Sequence, residues 1–367
     1  MSAGPARGAP PGPPPRWPRS VLVTGGLGAI GSFVTAAMLA AGARVTTFGR
    51  TADLSTLRLL APEAGLDRLT VVRGDLAARG GLMRAAAQAR PELIVALSSL
   101  LIRASDQDPA AAYDVNLGGV LQCLQAAASH GAARVVVASA KAAYGALPGR
   151  YGPPGFEPVT EDVRSGPANV YGLTKRAVED LCGYYRERRG VDVSCLRLGS
   201  TYGPGKEGHA GYSSLKTRIV EAAARGGHVL VSGENVLDDV VYNRDVASAV
   251  LRAALAAPAG RRHHVYNISG GELVSIRDFV AEVGRCCPEA SVEFTETGHP
   301  AAGGLRMRMD ISRAAREIGF VPAFPGTAGI ADYVRIARQR VGRPDRPDRP
   351  DSPGRPAGTP GRVELTV

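Results

Sequence analysis

The sequence lacks any apolar run of the roughly 18 to 20 residues that a membrane-spanning helix needs. With hydrophobic residues at 44% of 367, that absence excludes a multi-span membrane protein. A secretory h-region is missing too. Residues 1–18 hold seven prolines and no apolar stretch, so residues 1–19 read as a disordered leader. The expected compartment is the cytoplasm. The five cysteines are Cys123, Cys182, Cys195, Cys286 and Cys287, and no two form a C-x-x-C pair. Odd in number and without ligand spacing, they read as reduced thiols. The six histidines form no H-x-x-x-H pair, so no metal site is expected.

The formal net charge is +10, yet no basic helix or stripe carries it. Arg7, Arg16 and Arg19 lie in the leader without an acid, and the segment from Arg343 has five arginines against four acids. The remaining arginines are spread along the chain. A nucleic-acid partner is therefore not expected, whereas an anionic small molecule fits. Arg-Pro-Asp occurs three times in succession from Arg343. Such a repeat has little to bury, so residues 343–367 read as a disordered tail.

What the chain does have is alternation. Apolar strand-like runs at Val21–Thr24, Arg44–Phe48, Leu69–Arg73, Leu93–Leu97, Arg134–Ser139 and Val191–Leu198 are separated by helix-like segments. Those include 32–41, closed by Gly42, one long helix over 110–130, and 170–189, closed by Gly190. The expected fold class is α/β, a Rossmann-type doubly wound parallel sheet with a smaller C-terminal substrate-binding domain. The boundaries read as 20–200 and 236–262 for the Rossmann domain, and 201–235 and 263–342 for the substrate domain.

The strand at Val21 runs into Thr24-Gly25-Gly26-Leu27-Gly28-Ala29-Ile30-Gly31, and a helix leaves it. Glycines there permit a tight turn and close approach to a pyrophosphate. The helix N-terminus then supplies free N–H groups and partial positive charge. After the second strand, Gly49 stands where an acid would bind a ribose 2′-hydroxyl, and Arg50 follows. An arginine suits a 2′-phosphate, which tilts a choice between NAD and NADP towards NADP. Further on, Tyr171-Gly-Leu-Thr-Lys175 is Y-x-x-x-K, placed 32 residues after Ser139. Four residues make about one helical turn, so both side chains point the same way. A nearby ammonium would lower the Tyr171 pKa towards neutrality and fit it for proton exchange.

The turn has G-x-x-G-x-x-G spacing. With Tyr171 to Lys175, Asp114-Val115-Asn116, Ala143-Tyr144-Gly145, Leu196-Arg197, Tyr202-Gly203-Pro204-Gly205, Asp239-Val240-Val241-Tyr242, Asp245-Val246-Ala247 and Val265-Tyr266-Asn267, it forms a set. Over roughly residues 20 to 340 the chain resembles the NAD-dependent epimerase/dehydratase family of extended short-chain dehydrogenases/reductases. The resemblance implies a nucleotide-sugar substrate between two domains and a homodimer through the helices around 110–130 and 170–189. It implies cofactor contacts at Gly25, Gly28, Ala29, Ile30, Gly31, Arg50, Asp75, Leu76, Leu97, Tyr171 and Lys175. Asp75 resembles the aspartate that contacts the adenine. It also places substrate near Lys206 and His209, and Arg244 is a further candidate for a diphosphate.

Two positions depart from the family pattern. Ser-Ser-x-x-Val-Tyr-Gly is replaced by Ser139-Ala140-Lys141-Ala142-Ala143-Tyr144-Gly145. Ala140 stands at the catalytic serine position, and Ser139, one residue early, is the candidate left to orient the reacting oxygen. Lys141 and Ala142 occupy the places of the dehydratases' Asp-Glu pair, which disfavours 4,6-dehydration. The expected activity is nucleotide-sugar epimerisation with Tyr171, Lys175 and Ser139 as catalytic residues. A sugar ketoreductase or dehydrogenase using NADP is the alternative, and a non-catalytic cofactor-binding sensor or partner subunit is a second.

Overall fold

The structure, a computed structural model, describes residues 17–61, 63–147, 149–164, 166–206, 214–297, 306–341 and 362–366. Seven parallel strands form its centre: β1 (Ser20–Thr24), β2 (Arg44–Gly49), β3 (Leu69–Arg73), β4 (Leu93–Ala96), β5 (Arg134–Ala140), β6 (Val193–Leu198) and β7 (Val265–Ile268). Their order is β3-β2-β1-β4-β5-β6-β7. Strand order reverses between β1 and β4, which opens a crevice at their C-terminal ends.

Period-two alternation explains why these strands are apolar throughout. Val21 and Val23 join one core with Phe33 and Val34 of the helix Gly31–Ala40 and with Val246 and Val250 of the helix Asn243–Leu255. Leu22, between them, joins the other core with Leu82, Leu124 and Val178 on the opposite layer of helices. A strand covered on both faces needs apolar residues at every position, and all of β1 is buried.

The expected long helix over 110–130 is divided. Asp108 accepts the Ala111 N–H at the start of Pro109–Ala112, a π-helical turn covers Tyr113–Gly118, and Gly119–His130 follows. The wide turn brings Asn116 inward, where its side chain is fully buried.

Two boundaries differ from the sequence reading. Val265–Ile268 falls inside the expected substrate segment 263–342, yet it pairs with β6 as the outer strand of the central sheet. Its alternating burial partners lie far away in sequence, so local pattern did not assign it. The tail is the second case. Arg362–Thr366 forms a strand parallel to His228–Gly233, with Leu365 buried beside Val231, so the tail is not disordered to its end. His228–Gly233 also pairs with Ser291–Glu296 on its other edge. A second small sheet centres on Leu237–Tyr242, between Ser200–Tyr202 and Leu273–Ser275. No described helix is long and apolar enough to cross a membrane.

Candidate active site

The glycine turn leaves β1 at Thr24. Gly25 has φ +67° and donates its N–H to the Phe48 carbonyl at 2.9 Å, which ties the turn to β2. Gly28 donates to the Gly25 carbonyl at 3.0 Å. A Cβ on Gly31 would lie 1.9 Å from that same carbonyl oxygen, so only glycine lets the helix start this close. No side chain caps the helix at Ile30. The Ser32 and Phe33 N–H groups donate to the Gly28 and Ile30 carbonyls at 2.8 and 3.1 Å, and the helix end carries the partial positive charge that a pyrophosphate requires. The cradle therefore fits a dinucleotide.

Residues expected around that ligand line the same edge. Leu97 donates its N–H to Thr24 at the end of β1, and buried Leu76 fixes Gln122 through its carbonyl at 2.8 Å. The Asp75 carboxylate is exposed and accepts the Ala77 N–H at 2.9 Å. Arg50 is exposed just past β2. Ala29 is gripped from the other side: Asn243 donates to its carbonyl at 3.2 Å, and a Cβ on Gly205 would lie 2.9 Å from its Cα.

Tyr171 and Lys175 lie in the first turns of the helix Val170–Arg189. Asn169 caps that helix by accepting the Gly172 N–H at 2.8 Å. Lys175 Nζ sits 5.4 Å from the centre of the Tyr171 ring and donates to the Ala138 carbonyl at 2.9 Å. A Cβ on Gly172 would lie 2.5 Å from the Ala142 carbonyl oxygen, so the helix start presses on the end of β5. Asn116 locks the arrangement. It accepts the Leu100 N–H at 2.7 Å and donates to Thr174 Oγ1 at 3.0 Å.

The expected depression of the Tyr171 pKa is not what this arrangement produces. Burial pushes the phenol up. Burial also pushes Lys175 down to about 8, with Cys195 and Glu179 opposing. Lys175 gives its hydrogen bond to a backbone carbonyl, and loss of water outweighs its field at the phenol.

Ser139 is not brought to Tyr171. Its hydroxyl donates to Glu179 Oε1 at 2.6 Å, in full burial. Arg197 completes that group: it holds both Glu179 oxygens, at 2.7 and 2.6 Å, donates to the Glu161 carbonyl at 3.0 Å and covers the Tyr144 ring at 4.4 Å. Alternation along β5 makes Ser139 and Ala140 face opposite ways. The serine thus serves a buried ion pair, and the position facing the other way has no hydroxyl.

Of the substrate candidates, Lys206 is half-buried, with both hydrogen bonds to Thr201. Arg244 is engaged within the fold. It pairs with Asp332 at 2.5 Å and packs over Phe33, because Asp332 on the helix Ile330–Val341 lies directly opposite it. His209 lies outside the described residues. Sequence reasoning missed Lys216 and Asp238. Asp238 takes Lys141 at 2.6 Å and Lys216 at 2.8 Å, and Ser200 donates to it at 3.0 Å. Burial works against its charge, but the two ammonium groups hold its pKa well below the ordinary carboxylate range. No local spacing announces this group. Among the described residues no cluster of three metal-ligating side chains occurs, and the five cysteines are free.

The NAD dependent epimerase/dehydratase family matches residues 21–269, about two thirds of the chain. The chain belongs to this family. A UDP-glucose 4-epimerase of Mycolicibacterium smegmatis is 29% identical over 326 residues, covering 87% of this chain and 98% of the relative. The solved UDP-glucose 4-epimerase of Thermus thermophilus, in complex with NAD, superposes with a TM-score of 0.72 at 27% identity, covering 87% and 98% of the two chains. L-threonine 3-dehydrogenase from Trypanosoma brucei superposes at 0.76 with 22% identity, covering 89% of this chain and 99% of its own, and shares the fold.

Proposed function

We propose that the chain is an NAD(P)-dependent nucleotide-sugar epimerase. The observation that carries this reading is the Tyr171–Lys175 turn. Its ammonium is anchored on the Ala138 carbonyl near the C-terminal end of β5. The UDP-glucose 4-epimerases that it resembles over 87% of its length support the same reading.

Gly25, Gly28 and Gly31 would hold the pyrophosphate, and Lys175 would donate to the ribose next to the nicotinamide. A bound nicotinamide supplies reversible hydride acceptance at a sugar carbon. Tyr171 Oη takes the hydroxyl proton as the carbon is oxidised and returns it on reduction. Its raised pKa makes the neutral phenol the resting form. A phenol already carries its proton, so Tyr171 must release it to solvent before it can take the hydroxyl proton, a loss that the charge of Lys175 and of a bound oxidised nicotinamide would favour. Lys175, with a pKa near 8, holds that ammonium at neutral pH. Asn116 keeps the helix in position through Thr174.

Exposed Leu101, Ile102, Tyr113, Leu173 and Tyr184 lie along or beside the helices expected to pair, which supports a homodimer. The composition supports a cytoplasmic enzyme.

The test loads the protein with NAD and follows UDP-glucose and UDP-galactose by NMR. Interconversion without net NADH is expected, and Tyr171→Phe should lower kcat by about 10²- to 10⁴-fold while NAD stays bound. A second reading, a net sugar dehydrogenase or ketoreductase, is favoured by exposed Arg50 and by Ala140. Steady accumulation of reduced cofactor with an unchanged sugar configuration at the recovered carbon would replace the first reading with the second.

A further inference from the structure

Arginine supplies nearly all of the positive charge, and along the sequence it is scattered. Folding gathers part of it. In a parallel sheet every strand starts at the same edge, so residues that precede separate strands become neighbours. Arg19 precedes β1, Arg44 opens β2, and Arg90 comes shortly before β4. Arg188 and Arg189 come before β6, and Arg262 before β7. All of these are exposed. The strand order spreads them along the edge. With adjacent strands about 4.8 Å apart, seven strands make a row roughly 29 Å long.

The row is not neutralised by the fold. None of these arginines makes an ion pair or a side-chain hydrogen bond among the described residues. Other arginines at the same edge are answered: Arg134 by Asp192 at 2.7 Å, Arg261 by the same carboxylate, and Arg68 by Asp67 at 3.9 Å. The exposed acids there are Glu63, Asp67, Glu92 and Glu187. Asp67 is taken by Arg68, and Glu92 accepts the Arg19 backbone N–H at 2.8 Å.

An apolar feature lies at the same edge. Trp17, the single tryptophan of the chain, is 42% exposed two residues before Arg19. It lines a groove of about 520 Å³ together with Ala40, Leu60 and Leu255. Each of those three is the last residue of its helix, Gly31–Ala40, Ser55–Leu60 and Asn243–Leu255. The helices run back from the ends of the strands to their starts, so the groove opens beside the arginine row.

We propose that this edge docks on an anionic lipid bilayer, with Trp17 at the headgroup level and the arginines on lipid phosphates. Tryptophan favours the membrane–water interface, and basic side chains are drawn to an anionic leaflet. A nucleic acid would offer phosphates too. A half-exposed tryptophan beside an apolar groove favours acyl chains. The segment before Trp17 adds Arg7 and Arg16 without an acid. The dinucleotide turn follows the far end of β1, so docking leaves the cofactor edge open to solvent. The inference does not depend on the nucleotide-sugar reading.

The test uses vesicles of phosphatidylcholine alone and with one third phosphatidylglycerol. The full chain should sediment with the mixed vesicles and not with the neutral ones, and about 1 M salt should release it. Tryptophan emission should shift to the blue on the mixed vesicles and be quenched by brominated acyl chains. Arg44→Gln with Arg189→Gln should weaken partitioning about 10- to 30-fold. Trp17→Ser, followed by sedimentation, should weaken it at least threefold. Both variants should keep the wild-type melting temperature and NAD affinity, which separates a lost contact from a lost fold. Absence of vesicle binding overturns the proposal, and so does equal binding to both vesicles. Vesicle binding with unchanged tryptophan emission places another face on the bilayer and overturns it too. Unchanged partitioning in both variants has the same meaning. Binding of duplex DNA without vesicle binding assigns the row to nucleic acid and also overturns it.

Discussion

Gly31→Ala puts one methyl group into the tightest contact of the dinucleotide turn. Its Cβ would sit 1.9 Å from the Gly25 carbonyl oxygen, a backbone atom that cannot swing aside. Non-bonded heavy atoms at optimal separation sit at roughly 3.5 Å or more, so the turn must open by about 1 Å or more. Overpacking of this kind costs about 1–3 kcal/mol. Alanine is better than glycine inside a helix by at most ~1 kcal/mol, and Gly31 is only the first helical residue, so the clash wins. A loss of about 1.4 kcal/mol is tenfold in affinity, so the dinucleotide Kd should rise about 10- to 100-fold. The melting temperature should fall by a few degrees, at roughly 2 °C per kcal/mol for a chain of this size. Gly28→Ala is the internal control for stability. Its Cβ would lie 3.3 Å from the same oxygen, so its melting temperature should stay much closer to wild type. Calorimetric NAD titration and thermal unfolding of both variants check the argument. Wild-type Kd and melting temperature for Gly31→Ala would refute it.

Glu179→Ala should cost about 3–5 kcal/mol in urea unfolding, since it strands Arg197 in the interior and leaves the Ser139 hydroxyl without its acceptor. The double change Glu179→Met with Arg197→Met should recover much of that loss. A single-variant cost below about 1 kcal/mol would mean that the Ser139–Glu179–Arg197 group does not hold the fold together. Deleting residues 362–367 should uncover the edge of His228–Gly233 and lose the buried Leu365, worth up to about 1.5–3 kcal/mol. Amide exchange in 228–233 should then quicken, and unchanged protection would show that the terminal strand does not hold that edge.

What was readable from the sequence was local. Val21, Leu22 and Val23 announce a strand buried on both faces because alternate side chains must reach different layers, and the two cores receive them in that way. Gly25, Gly28 and Gly31 act within one turn, and Tyr171 and Lys175 lie one helical turn apart, so spacing alone defines both groups. The partner of Ser139 could not be read from its neighbours in the chain. That partner, Glu179, is 40 residues away, and the pairing exists only because the helix Val170–Arg189 packs on β5. Asp238 and Lys141, 97 residues apart, likewise meet only in the folded chain. Strand addition is equally non-local, which is why Val265–Ile268 and Arg362–Thr366 went to places no local pattern marks. By itself the sequence determined the doubly wound sheet, the dinucleotide cradle and the tyrosine–lysine turn, because each depends on periodicity or spacing within a few residues. Tertiary structure alone decided the environment of each charge: a serine spent on a buried ion pair, an arginine on Asp332, and two lysines on Asp238. Charge environment depends on burial and on partners that only chain folding brings together.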